Sequence, residues 1–148
     1  MSQKAVEYLR TATFMPALEA ASILEAIEAM LGAVQNHPDV LDAAALREAV
    51  LERQMMDPPL LPSGVALPHA RTGSVRSLVI AVATTAAPLP LDGTDVRIVV
   101  LIGVAKSATV AYLDLVAFIT RKMREAGAVE RLSRLREKDE FLSALAGS

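Results

Sequence analysis

Between Gly64 and Ala105 the chain reads as a series of almost unbroken apolar runs: "GVAL", "SLVIAVAT" and the β-branched "DVRIVVLIGVA", the last introduced by a turn signal at Asp92 and Gly93. Runs that do not alternate with polar residues belong where both faces of a strand are covered, which predicts a sheet with helices packed on it. The flanking regions supply those helices. Ser22 followed by Glu25 forms a helix-start signature, and Leu24, Ile27, Leu31 and Val34 then recur at helical spacing until "NHPD" ends the pattern. A second helix is predicted after Asp42 through "AAALREAVLERQMM", with Leu46, Ala49 and Val50 on one face and Arg53 near its end, before the prolines of "DPPLLP" stop it. Downstream, "SATVAYLDLVAFITRKMREAG" places Leu113, Val116, Ala117, Thr120 and Met123 on one expected face, with Gly127 as the stop. A short helix from Asp139, with Phe141, Leu142 and Leu145 inward, would close the chain. The expected fold class is α/β (α+β), a single-domain sandwich over residues 1–148 with a mixed β-sheet flanked by helices.

The chain is 53% hydrophobic, enough to fill a core, yet its longest clean runs, such as "IVVLIGVA", fall far short of the roughly 20 residues of a spanning helix. It is therefore expected not to be membrane-embedded. The N-terminus shows no sustained apolar stretch followed by a cleavage signal, so no export is expected and the cytoplasm is the expected location. With no cysteine there is no disulfide framework and no thiolate nucleophile or ligand. A net charge of −2 argues against nucleic-acid binding. The charge is uneven: residues 121–138 hold seven basic residues against three acidic ones. That segment reads as a solvated helix surface with Leu132 and Leu135 facing the core, or as a docking face for an acidic partner.

Only two histidines occur, which leaves too few ligands for a zinc site, and no metal or other cofactor is expected. The seven glycines never cluster into a phosphate loop, and no serine sits in a nucleophile-elbow context. His37 in "NHPD" belongs to a helix-ending turn, where the helix dipole favours it. His69 in "SGVALPHAR" differs, because Pro68 fixes its own φ and biases Leu67 toward extended geometry. The ring is thus expected where a strand meets a turn. An ordinary imidazole is largely neutral at cell pH and has a lone pair able to attack a phosphoryl group. The residues alone leave two readings of His69 open, a nucleophile or a packing ring.

The stretch "SGVALPHAR", the sixteen-residue spacing from Arg53 to His69, and the order "PHAR", "LDGTDVRIVVLIGVA", "AYLDLVAFI" together resemble the enzyme IIA domains of the bacterial sugar phosphotransferase system, fructose/mannitol type, including nitrogen-regulatory IIA-like proteins. The resemblance covers most of the chain. It implies that His69 accepts a phosphoryl group from the histidine-containing phosphocarrier protein and passes it to the cysteine of a IIB protein. It further implies that Arg53 holds phosphoryl oxygens in a forked contact. Arg71 is expected at the rim.

Three positions depart from the family pattern. "PPLLP", Pro58 to Pro62, stands where the family has a threonine- and glycine-containing loop, and would remove backbone donors and a hydroxyl from a phosphate site. Gln54 replaces a glutamate, and Tyr112 replaces a second histidine at the start of the third helix. A phenol can donate a hydrogen bond to a phosphoryl oxygen but cannot carry positive charge; Tyr112 is read either so or as a helix-surface aromatic. Three functions follow from the resemblance: a phosphocarrier IIA protein; a regulatory, nitrogen-type IIA-like protein that binds a target protein according to its phosphorylation; or a binding module with the same fold that is not phosphorylated. The oligomeric state is not legible.

Overall fold

The computed structural model describes residues 2–147. Six strands form one mixed sheet in the order β1-β5-β6-β3-β2, with β4 also paired to β6. The strands are β1 (Thr13–Leu18), β2 (Leu60–Leu61), β3 (Val65–Ala66), β4 (His69–Arg71), β5 (Leu78–Leu91) and β6 (Thr94–Val104). The helices are α1 (Ser2–Arg10), α2 (Ile23–Val34), α3 (Ala43–Met56), α4 (Thr109–Met123), α5 (Ala128–Ser133) and α6 (Lys138–Gly147).

The predicted α/β sandwich is what forms. The β6 side chains Ile98, Val100, Ile102 and Val104 meet an apolar layer contributed by α1, α4, α5 and α6, including Leu9, Leu115, Phe118, Leu132 and Phe141. On the other face Val99 and Leu101 join Val79 and Ala81 against Ile27, Met30, Leu46 and Val50 of α2 and α3. Both faces of β5 up to Thr85 and of β6 from Ile98 onward are covered, which is why these stretches lack alternation. The turn between them forms at Asp92 and Gly93, both with positive φ (49° and 80°), the geometry of a tight hairpin turn matching the strand twist.

Local capping signals fold as read. The Ser22 side chain accepts from the Glu25 amide while Glu25 Oε1 accepts from the Ala21 amide, and Asp42 caps α3 by accepting from the Ala45 amide. His37 lies in the turn after α2, its Nδ1 accepting from the Asp39 amide.

Several expectations need correction. Leu24 is exposed, and the buried side of α2 is carried by Ile23, Ala26, Ile27, Met30, Leu31 and Val34. In α4 the expected face is rotated: Leu115, Phe118, Ile119 and Met123 are buried, whereas Leu113 and Ala117 are exposed. The helix carries apolar residues around most of its circumference, and the face that buries an aromatic and two aliphatics removes more apolar area from water. The same helix ends at Met123, short of Gly127, whose φ of 75° instead starts α5. Residues 121–138 are therefore the end of α4, a turn, α5 and the lead into α6, with Leu132 buried and Leu135 partly so. "TFMPAL", to which the sequence pattern assigns no element, is β1, paired in parallel along β5 at the sheet edge, where the missing donor of its proline is tolerated.

Candidate functional site

β3 and β4 are two pieces of one line of chain. The register against β6 stays constant from Val65↔Ile98 and Ala66↔Val99 to His69↔Ile102 and Arg71↔Val104. The interruption falls at Leu67 and Pro68: proline has no N–H to give, and the Leu67 amide donates to the Pro59 carbonyl instead. Pro68 still contributes its carbonyl, which accepts from the Ile102 amide at 2.9 Å. The sequence expects His69 where a strand meets a turn; in the structure it follows the break at Leu67 and Pro68, where the ladder resumes and His69 opens β4. β2 covers the outer edge only at Val65 and Ala66, so β4 has no outer strand neighbour among the described residues.

The ring of His69 is fixed by one hydrogen bond. Its Nδ1 lies 2.8 Å from the Leu67 carbonyl oxygen. A carbonyl can only accept, so Nδ1 carries the proton, and the lone pair of the neutral ring resides on Nε2. Burial pushes the His69 pKa below the usual 6.5, the charge of Arg53 pushes the same way, and the Leu67 hydrogen bond opposes both. The ring is thus held neutral at pH 7, in one tautomer.

His69, Arg53 and Tyr112 line one cavity of about 290 Å³, together with Arg71, Val104 and Thr109. The three residues singled out from the sequence, spread from position 53 to 112, are brought together. α3 delivers Arg53 because it packs against β4, and that close approach depends on Gly103 of β6. A Cβ at Gly103 would stand 3.1 Å from Leu46 Cδ1 of α3 and 3.2 Å from Val75 Cγ1. Arg53 Nη1 donates to the Asp57 carbonyl at 2.6 Å, which anchors the guanidinium at the helix end and leaves its other donors for a ligand. The Tyr112 ring lies 5.2 Å from the His69 ring, tilted by 35°. Burial raises the Tyr112 pKa above its usual value, with Arg53 acting the other way, so the phenol remains a hydrogen-bond donor.

Arg71, expected at the rim, is exposed, lines the cavity, and donates to the Lys106 carbonyl. The "PPLLP" loop does not wall the cavity. Leu60 and Leu61 pair with Ala66 and Val65, so the prolines flank an edge strand rather than a phosphate site. Gln54 is 6% exposed and its Oε1 has no hydrogen-bond partner; a carboxylate there would be a buried charge, which costs more than the neutral amide. Sequence reading missed the contribution of the α4 N-terminus. Thr109 lines the cavity, and the N-cap Ala108 offers no side-chain acceptor to the first-turn amides, so the positive end of the helix dipole borders His69. The signal was present in "SAT", where either Ser107 or Thr109 would have been the natural cap.

A family model described as "Phosphoenolpyruvate-dependent sugar phosphotransferase system, EIIA 2" matches residues 7–147. The chain is 30% identical over 126 residues to the PTS system 2-O-alpha-mannosyl-D-glycerate-specific EIIABC component of Escherichia coli (strain K12), covering 82% of this chain but 19% of that protein. Among solved structures it is similar to nitrogen regulatory protein IIA-Ntr from Neisseria meningitidis (TM-score 0.84, 20% identity, 95% of this chain and 99% of that one). It is similar also to enzyme IIAMTL from Escherichia coli in its complex with phosphorylated enzyme IIBMTL (TM-score 0.74, 19% identity, 92% and 95%). The fold thus agrees with two IIA structures, and the match of the family model over nearly the whole chain establishes that this protein belongs to the EIIA 2 family of the phosphoenolpyruvate-dependent sugar phosphotransferase system.

Proposed function

We propose that this chain is a phosphoryl carrier: Nε2 of His69 takes a phosphoryl group from the histidine-containing phosphocarrier protein and hands it to a IIB protein. The observation that carries this reading is the hydrogen bond from Nδ1 to the Leu67 carbonyl, which fixes the tautomer that puts the lone pair on Nε2. In the first step the Nε2–P bond forms as the donor's N–P bond breaks, and the donor nitrogen recovers its electron pair. The His69 ring gains positive charge as it attacks, and the Leu67 carbonyl holding the Nδ1 proton stabilises it. In the second step the Nε2–P bond breaks as the thiolate of the IIB cysteine forms its S–P bond. Catalysis of such transfers is mostly positioning and charge stabilisation. Arg53, the Tyr112 hydroxyl and the α4 N-terminus supply the donors and positive charge that phosphoryl oxygens need.

Protein partners suit the surroundings. Met55 and Met56, just beyond Arg53, are 81% and 76% exposed, and Val110 and Leu113 beside Tyr112 are 73% and 57% exposed. Exposed adaptable methionines and aliphatics next in the chain to cavity residues are what a transient protein interface offers. Similarity to a IIA protein solved with phosphorylated IIB supports the same reading.

The test is incubation of the purified protein with phosphoenolpyruvate, enzyme I and the phosphocarrier protein, followed by intact mass measurement before and after mild acid. One acid-labile phosphoryl group, absent in His69→Ala, is expected. Absence of uptake under conditions that label a standard IIA domain would reject the proposal and leave the non-phosphorylated binding module. Uptake without discharge to any IIB protein would favour the regulatory form.

A further inference from the structure

A second concave site lies where the sheet is irregular. Up to Thr84↔Ile98 the pairing of β5 with β6 is regular; it resumes only at Leu89↔Val96, so Thr85 to Pro88 stand opposite Arg97 alone. The neighbouring β1–β5 pairing shifts at the same level, between Met15↔Ala83 and Leu18↔Thr85. There Ala17 has a φ of 51°, unfavourable for a residue with a Cβ, and its amide is captured by Thr84 Oγ1 at 2.8 Å. Bulges and strained residues that persist together open the sheet locally and re-aim side chains.

The opening is a cavity of about 180 Å³ lined by Ala17, residues of the Thr85 to Pro88 bulge, Arg97, Ser133, Arg134 and Arg136. None of the three guanidinia has a carboxylate within ion-pair reach among the described residues. The hydroxyls are already committed: Ser133 donates to the Glu130 carbonyl, and Thr85 Oγ1 is directed at the Val96 carbonyl. What remains for a ligand is three forked cations in a protein whose net charge is −2. The end of α5 accounts for one cation, at the cap position Arg134, through its dipole; it does not account for three.

We propose that this cavity binds a compact multivalent oxyanion of the phosphate-ester class. Three guanidinia suit a dianion or higher charge, whose oxygens accept several forked contacts at once. The volume equals that of about six water molecules at ~30 Å³ each, enough for a small phosphate ester and too small for a helix about 10 Å across. The site is distinct from the His69 cavity. Arg97 and Val104, which lines the His69 cavity, are separated by seven residues of β6, about 23 Å of extended chain.

Pyrophosphate titrated into the full, isotopically labelled chain, with sodium chloride at matched ionic strength as control, tests this by amide chemical-shift mapping. Saturable shifts are expected at Ala17, Ala86 and Arg134 to Arg136. The R134Q/R136Q double variant, both positions being exposed, should fold unchanged elsewhere in the spectrum and lose at least tenfold in affinity. His69→Gln should bind as well as the parent chain. Shifts no greater than chloride gives, unchanged affinity in R134Q/R136Q, or loss of binding in His69→Gln would each overturn the proposal, the last by placing the anion at His69. A response to polyglutamate without one to pyrophosphate would also overturn it, pointing to an acidic protein face instead.

Discussion

The two ends of β6 carry positive charge in opposite ways. At the Val104 end the strand register never slips, one proline interrupts the ladder, and each group is tied down: His69 to the Leu67 carbonyl, Arg53 to the Asp57 carbonyl, Arg71 to the Lys106 carbonyl. At the Arg97 end the register slips against β5, and Arg97, Arg134 and Arg136 have no anionic partner among the described residues. A nucleophile must be held within a fraction of an ångström of its productive geometry, so regular pairing is the right foundation for His69. Capturing a small anion requires only convergent charge in a hollow, which an irregular sheet and an interhelical turn can provide.

This contrast can be broken experimentally. Arg53→Ala should slow phosphorylation of His69 by about 100-fold while leaving the fold intact, because it removes a charged donor from the transferring group. A rate within twofold of the parent chain, measured by rapid quench, would show that ordering of Arg53 by Asp57 serves only α3. Gly103→Ala should lower stability by about 1–3 kcal/mol, read as a shift in the denaturation midpoint, since the added methyl meets Leu46 and Val75 at 3.1–3.2 Å. It should also slow transfer, because α3 carries Arg53; loss of stability with no loss of rate would uncouple α3 from the site.

The pH profile sharpens the same point. His69 has a folded pKa below its ordinary 6.5, so the rate should be flat above pH 6.5 and fall about tenfold per pH unit only below that folded pKa. An inflection above 6.5 in single-turnover labelling would contradict a buried, neutral ring. The sign for stability is the same: the unfolded chain protonates His69 first, so the contribution of this residue is complete above pH 6.5 and is lost as pH falls through the folded pKa. Tyr112→Phe should cost about 1 kcal/mol of transition-state stabilisation, a roughly fivefold slower transfer, if its hydroxyl donates to a phosphoryl oxygen. An unchanged rate would return Tyr112 to the role of a ring packed beside His69. The smallest effect is expected from R134Q/R136Q, which should leave His69 labelling within twofold; a larger change would mean that the two ends of β6 communicate.

Much of the His69 cavity was legible because its parts sit in short, chemically marked stretches. Arg53 closes a helix that two prolines terminate, and His69 follows a proline that fixes the backbone before it. Tyr112 lies in the first turn of α4, as its place at the start of the third predicted helix implies, even though the buried face of that helix is not the expected one; a first-turn position depends on where the helix starts rather than on how it is rotated. The α4 N-terminus was overlooked because the hydroxyl residues of "SAT" suggest a side-chain cap, whereas the cap is Ala108, which leaves the first-turn amides without one. The sequence marked Arg134 and Arg136 only as part of the basic segment 121–138, and nothing in it announced their meeting with Arg97. Arg97 lies on a strand and Arg134 and Arg136 follow a short helix, and their convergence depends on a register slip that no local pattern encodes.

By itself, then, the sequence determined what backbone chemistry dictates within a few residues: the caps at Ser22 and Asp42, the turn at Asp92 and Gly93, the break at Pro68, and strands too uniformly apolar to lie at a surface. Tertiary structure decided which face of α4 is buried, that the proline-containing "TFMPAL" pairs as β1, and that residues far apart in the chain converge on each of two cavities. Those outcomes turn on competition between alternative packings and on contacts across tens of residues. Their free energies belong to pairs of elements, and no single stretch of chain carries them.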